Sequence, residues 1–118
     1  DYIKLLKSSD IAFSLMDTPH PTLVPLEMAA AGMQVVTTEC ENKTFEKLQG
    51  ISSNIYAAPP TIAGIGEMLL RVSNFVTDYP ARIKGSHINW CFDWQETFDG
   101  QFMDKINRFI EEERQYRD

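Results

Sequence analysis

Cysteine is scarce in these 118 residues: Cys40 and Cys91 form neither a CxxC pair nor a disulfide framework, so they read as two reduced thiols. No metal site is expected from them, and no cofactor is called for. Positive charge is also thin, with 11 Lys and Arg against 17 Asp and Glu and a net charge of -6. No basic cluster offsets that balance, which excludes a phosphate-backbone binder and leaves nucleic acid out as a partner. Long apolar runs are missing too. None approaches the roughly 18 residues that span a bilayer, and Asp1-Tyr2-Ile3-Lys4 lacks the layout of a signal peptide, so the chain reads as cytoplasmic. Internal repeats and low-complexity linkers are absent.

What is present is a regular alternation of short elements. Tyr2, Leu5 and Leu6 share one face of a helix predicted over residues 2–9. Residues 11–16 (IAFSLM) are continuously apolar, which suits a strand covered on both sides of a parallel sheet. Asp17-Thr18-Pro19-His20-Pro21 is a stiff loop, because each proline fixes its own backbone and biases its predecessor to extended geometry. Thr22 is placed to cap a helix over residues 23–31, with Pro25 in its first turn and Gly32 as its stop. Gln34–Thr38 (QVVTT) is a second strand, and strand, loop, helix, glycine, strand is the pattern of a βαβ unit. A polar loop over residues 39–43 leads to a short helix over 44–49 ended by Gly50, then a third strand over 54–57. Thr61 caps a further helix whose Ile62, Ile65, Met68, Leu69 and Val72 are spaced for one buried stripe. Beyond Tyr79-Pro80 another helical stretch leads to Trp90. Phe98, Phe102, Ile106, Phe109 and Ile110 mark a last helix. Trp90, Trp94 and that stripe read as packing residues, and His87 as a surface or helix-end residue.

The fold expected is α/β, a partial Rossmann-like parallel sheet of about three strands with flanking helices, forming one partial domain over residues 1–118. The chemistry centres on residues 17–32 (DTPHPTLVPLEMAAAG). A loop that leaves the C-terminal end of a parallel strand and enters a helix is where such folds bind phosphate. The first amides of the helix lack intrahelical acceptors, and the dipole adds roughly half a positive charge there. Glu27, a turn further on, can accept hydrogen bonds from sugar hydroxyls. On spacing alone Glu27 reads equally as a solvated helix residue, Thr22 as a plain cap and His20 as a turn residue.

Residues 19–36, P-H-P-T-L-V-P-L-E-M-A-A-A-G-M-Q-V-V, resemble the donor-site signature of retaining GT-B glycosyltransferases, E-G-F-G-L-V-P-L-E-A-M-A-x-G-x-P-V-V. The resemblance implies that Glu27 holds the nucleotide ribose, that Thr22, Leu23 and Val24 present the diphosphate-binding backbone, and that the sugar-facing glutamate is absent, since Pro19 stands in its place. His20 with Thr22 is then left to meet the sugar. The forms Ser14-Leu15-Met16, Pro19-His20-Pro21 and Pro25-Leu26-Glu27-Met28-Ala29-Ala30 are similar to dTDP-rhamnosyltransferases of the WsaF type, as is Glu41-Asn42-Lys43, which brings Asn42 and Lys43 into the donor site. Phe92-Asp93-Trp94 is similar to the F-S-W-E element that precedes the final crossover helix of GT-B enzymes, here residues 95–118. The similarity runs over about residues 8–110. It implies a dTDP- or UDP-linked sugar as donor, and a glycan or lipid-linked acceptor bound through a further domain. It also implies peripheral attachment of the full-length enzyme at the inner membrane face, and no turnover by this chain alone. The reading set against it is a receiver-like or flavodoxin-like interaction domain, for which Asp17 at a strand end supplies only part of the acidic cluster required.

A sheet of three strands leaves the strand at residues 11–16 as an apolar edge with unpaired N–H and C=O groups, a template for another copy. A homodimer or swapped assembly is therefore expected in analytical ultracentrifugation, and a monomer at all concentrations contradicts it.

Overall fold

The computed structural model describes residues 1–91 and 93–117, so Phe92 and Asp118 lie outside the described residues. Its elements are α1 (Tyr2–Ser8), β1 (Ile11–Ser14), α2 (Leu23–Ala30), β2 (Gln34–Thr38), α3 (Phe45–Ile51), β3 (Ile55–Ala58), α4 (Ile62–Ser73), α5 (Tyr79–Gly85), α6 (Trp94–Thr97) and α7 (Gly100–Arg117). The strands form one parallel sheet in the order β1-β2-β3, with Ala12 beside Val35 and Val35 beside Ile55. The expected α/β architecture with a three-stranded parallel sheet is present, and β1 is an edge strand.

All five residues of β2 are buried, which explains a strand without polar alternation. Ala12, Val35 and Ile55 lie side by side and meet Leu26 and Ala29 of α2 and Leu48 of α3 in one apolar cluster. Leu26, Leu48, Val35 and Ile55 are almost wholly removed from water. Each side chain of this size contributes about 1.5–3 kcal/mol when fully buried, so this face is the main source of stability.

A second group of contacts clamps the opposite, N-terminal edge of the sheet. Arg82 of α5 is buried; its Nε donates to the Gly32 carbonyl at 2.8 Å, and its guanidinium pairs with Asp10 at 3.0 Å. Buried Asn54 donates through Nδ2 to the carbonyls of Arg82 at 2.8 Å and Ala29 at 3.3 Å. Asp10, Gly32 and Asn54 each lie just before a strand, so α5 ties three strand beginnings together. Gly85 is required at this spot, because a Cβ there would collide with the Asn54 amide.

Several boundaries depart from the sequence reading. β1 ends at Ser14 instead of residue 16, leaving Leu15 and Met16 exposed. α3 runs through Gly50 to Ile51, so Gly50 is not its stop; the helix ends where Ser52 turns extended. Gly32 does end α2, at φ 86, a conformation that glycine adopts without strain. The stripe of α4 is only partly buried: Val72 is fully covered, whereas Ile62, the first residue of the helix, is 94% exposed. The largest correction concerns the C-terminal aromatics. α7 buries none of its residues, and Phe98, Phe102, Ile106, Phe109 and Ile110 all stay exposed, since the apolar cluster is already closed by α2 and α3.

Val72→Ala is expected to lower stability by about 2 kcal/mol and Ile62→Ala by no more than about 0.5 kcal/mol. Urea denaturation of the two variants checks this, and equal losses would contradict the burial pattern of α4.

Candidate functional site

Parallel pairing puts the C-terminal ends of β1 and β2 on one edge, and the loops that leave there carry nearly all the residues singled out from the sequence. Lys43, in the loop after β2, is buried, and its Nζ donates to the Met16 carbonyl, two residues beyond β1, at 2.6 Å. The Thr38 hydroxyl donates to the same carbonyl at 3.4 Å. The loop itself is a tight turn: the Cys40 and Lys43 backbones exchange hydrogen bonds, with Glu41 at φ 50 between them. Asn42 is exposed at its tip. Among the described residues Lys43 makes no ion pair, and the carboxylates of Asp17 and Glu41 act on the same turn.

Cys40 stands in the same turn. Burial pushes its thiol pKa up, and a hydrogen bond to the Asp17 carboxylate and the charges of Asp17 and Glu41 push it further, with Lys43 acting in the opposite sense. The raised pKa disfavours the nucleophilic thiolate, and the carboxylates of Asp17 and Glu41 both act on Cys40.

The loop into α2 is stiff, as its prolines require. The Thr18 hydroxyl receives the His20 amide at 3.1 Å, and the His20 ring accepts the Thr22 amide at its Nδ1 at 3.0 Å. The Thr22 N–H is therefore occupied, and the amides open at the mouth of α2 are those of Leu23 and Val24, Pro25 having none. Thr22 holds the N-cap position but makes no side-chain cap, a correction to the sequence reading. Its backbone sits at φ 65 and ψ 166, a region that β-branched residues avoid, and its Oγ1 is buried without a partner. Thr61, also read from the sequence as a cap, differs, as does Thr44, which the sequence reading placed inside its helix: both stand at negative φ and their hydroxyls accept from Gly64 and Lys47.

Glu27, one turn into α2, is exposed and accepts a hydrogen bond from the Tyr2 hydroxyl of α1 at 3.1 Å. Burial, the hydrogen bond to Glu27 and the charge of Glu27 raise the Tyr2 phenol pKa, so Tyr2 remains a donor. Tyr2 lies 25 residues from its partner, and no local pattern could have revealed the pair. The structure thus brings His20, Thr22, Leu23 and Val24 together at the helix mouth, with Glu27 a turn beyond, while Asn42 and Lys43 lie on the neighbouring loop. His20 also meets the half-buried Trp90 edge-on, ring centroids 5.9 Å apart. Trp94, read from the sequence as a packing residue, is 76% exposed. His87 is exposed just beyond α5, as expected.

Among the described residues no group of three or more His, Cys, Asp or Glu could hold a metal ion, and no helix is long and apolar enough to cross a membrane. A family model described as the WsaF C-terminal domain matches residues 1–70, more than half of the chain and all of the span from α1 through α3. No curated protein and no solved structure matches the chain.

Thr22→Gly is expected to stabilise the unliganded chain by up to about 1 kcal/mol, because strain and an orphaned hydroxyl are removed together and no cap is lost. A fall in melting temperature would show that the threonine is not strained.

Proposed function

Because the chain belongs to the WsaF C-terminal domain family, a glycosyltransferase-related group, we propose that it holds a nucleoside-diphosphate sugar at the mouth of α2 for glycosyl transfer. The observation that carries this reading is the start of α2, where a strained Thr22 leaves its hydroxyl unpaired and the Leu23 and Val24 amides have no side-chain cap. A diphosphate satisfies those amides and meets the positive end of the helix dipole without any exposed lysine. Lys43 steadies the end of β1 beside it and adds the charge of its ammonium.

Glu27 accepts hydrogen bonds from the ribose hydroxyls, and Tyr2, already bonded to it, fixes the carboxylate in place. His20, whose ring holds the Thr22 amide at the helix mouth, and the exposed Asn42 are the residues proposed to meet the transferred sugar. As the glycosidic bond breaks, charge gathers on the leaving diphosphate, and preorganised amides stabilise it with little reorganisation. The donor proposed is a dTDP- or UDP-linked sugar, with rhamnose as the narrower candidate. The acceptor, a surface glycan or lipid-linked sugar, and any general base belong to a second domain, so this chain alone gives no turnover.

Isothermal titration with dTDP and UDP tests the reading. One of the two is expected to bind, to add about 2.7 kcal/mol of stability at 100 times its dissociation constant, and to lose about tenfold in affinity in Glu27→Gln. Binding unaffected by Glu27→Gln would remove the ribose role, and no binding of either nucleotide would remove the donor site.

A further inference from the structure

A cavity of about 290 Å³ opens beside the first residue of α2, lined by Leu23, Trp90, Cys91, Asp93, Trp94 and Thr97. We propose that this cavity seats the pyranose ring of the donor sugar, with Trp90 and Trp94 as its apolar walls and Asp93 as the acceptor for ring hydroxyls. The inference rests on the donor-site reading of α2 and extends it to residues beyond the 1–70 match.

Three observations support it. Trp94 is 76% exposed yet held in place, stacked on Phe98 with ring centroids 5.3 Å apart and planes within 8°. The stack fixes the indole plane while most of its surface stays open, which is how a flat apolar platform is presented to the C–H surface of a sugar. Trp90 is fixed from the other side by the edge-on ring of His20 and by packing against the apolar cluster.

Asp93 caps α6 with Oδ1, which accepts the Gln95 amide at 2.8 Å. Its second oxygen is left to accept a hydroxyl. The loop over residues 19–22 carries no carboxylate, so Asp93 is the acidic group among those lining this side of the helix mouth. A carboxylate repels phosphate and accepts from hydroxyls, so the cavity suits a neutral polyol ring and not a second phosphate.

The placement follows from the length of α2. With the ribose at Glu27, a turn inside the helix, and the diphosphate at Leu23, the sugar projects beyond the mouth, where the cavity opens. Cavities near the lower end of the usual ligand-pocket range, about 300 Å³, take one such ring and little more.

The test compares each nucleotide with its sugar conjugate on the full chain: dTDP with dTDP-rhamnose, and UDP with UDP-glucose, by isothermal titration. Wild type is expected to bind one conjugate more tightly than its parent nucleotide. Trp94→Ala and Asp93→Asn are each expected to cut affinity for that conjugate about fivefold to tenfold while leaving the parent nucleotide within about twofold. Asparagine is itself a good N-cap, so Asp93→Asn keeps α6 and isolates the carboxylate. If nucleotides bind but neither conjugate gains over its parent, the sugar seat is overturned while the donor site stands. If both variants weaken parent and conjugate alike, the cavity serves the nucleoside and the assignment is wrong. If no nucleotide binds at all, the donor-site reading fails first and takes this inference with it.

Discussion

The parallel pairing of β1 with β2 is the constraint on which the rest of this structure depends. Two strands that run the same way cannot be joined by a hairpin, so the chain must leave β1 at one edge and return over the sheet through α2. That return buries Leu26 and Ala29 against Val35 and Ile55, and it sets the start of α2 beside the end of β1. Packing energy on the sheet face therefore positions the open amides of Leu23 and Val24. Weakening the face would loosen the mouth even though no residue at the mouth had changed.

The two edges of the sheet are built differently. At the N-terminal edge Arg82 pairs with Asp10, and Asn54 and Arg82 donate to four backbone carbonyls, those of Ala29, Arg82, Gly32 and Val76, although the Gln34 Oε1 at the start of β2 is buried without a partner. At the C-terminal edge the backbone accounting is left incomplete: Thr22 Oγ1 has no partner, and α2 begins without a side-chain cap. Buried polar groups are costly when unpaired, with each worth about 1–3 kcal/mol.

Much of this was legible in the sequence because parallel α/β units write themselves in local terms. Apolar strands, loop prolines, Thr61 as a cap and Gly32 at positive φ each act within a few residues, and each gave its element. The site was legible as a stretch of chain but not as an arrangement. Thr22 looked like any helix cap, since nothing local announces that φ 65 will turn its hydroxyl away from the amides. Lys43 stood out only through resemblance, and the Met16 carbonyl that it holds lies 27 residues away. The Tyr2 to Glu27 bond and the Arg82 hub are of the same kind: they join distant segments, and spacing carries no trace of them. The aromatic stripe of α7 shows the converse error. Periodicity reports that a face is apolar and says nothing of whether anything covers it.

That distinction also explains why the tryptophans are better judged by exposure than by type. Trp90 packs against the apolar cluster and its environment accounts for it. Trp94 does not pack there; with three quarters of its surface open, it gains little from burial, and stacking on Phe98 only fixes its plane. A large exposed aromatic costs solubility without adding much stability, and it sits against the one carboxylate that lines the cavity beside Leu23. The α6 segment is too short to be stable by itself at four residues, so the Asp93 cap is what holds Trp94 and the carboxylate in one unit. A single side chain thus orders the turn through its Oδ1 and lines the cavity as well.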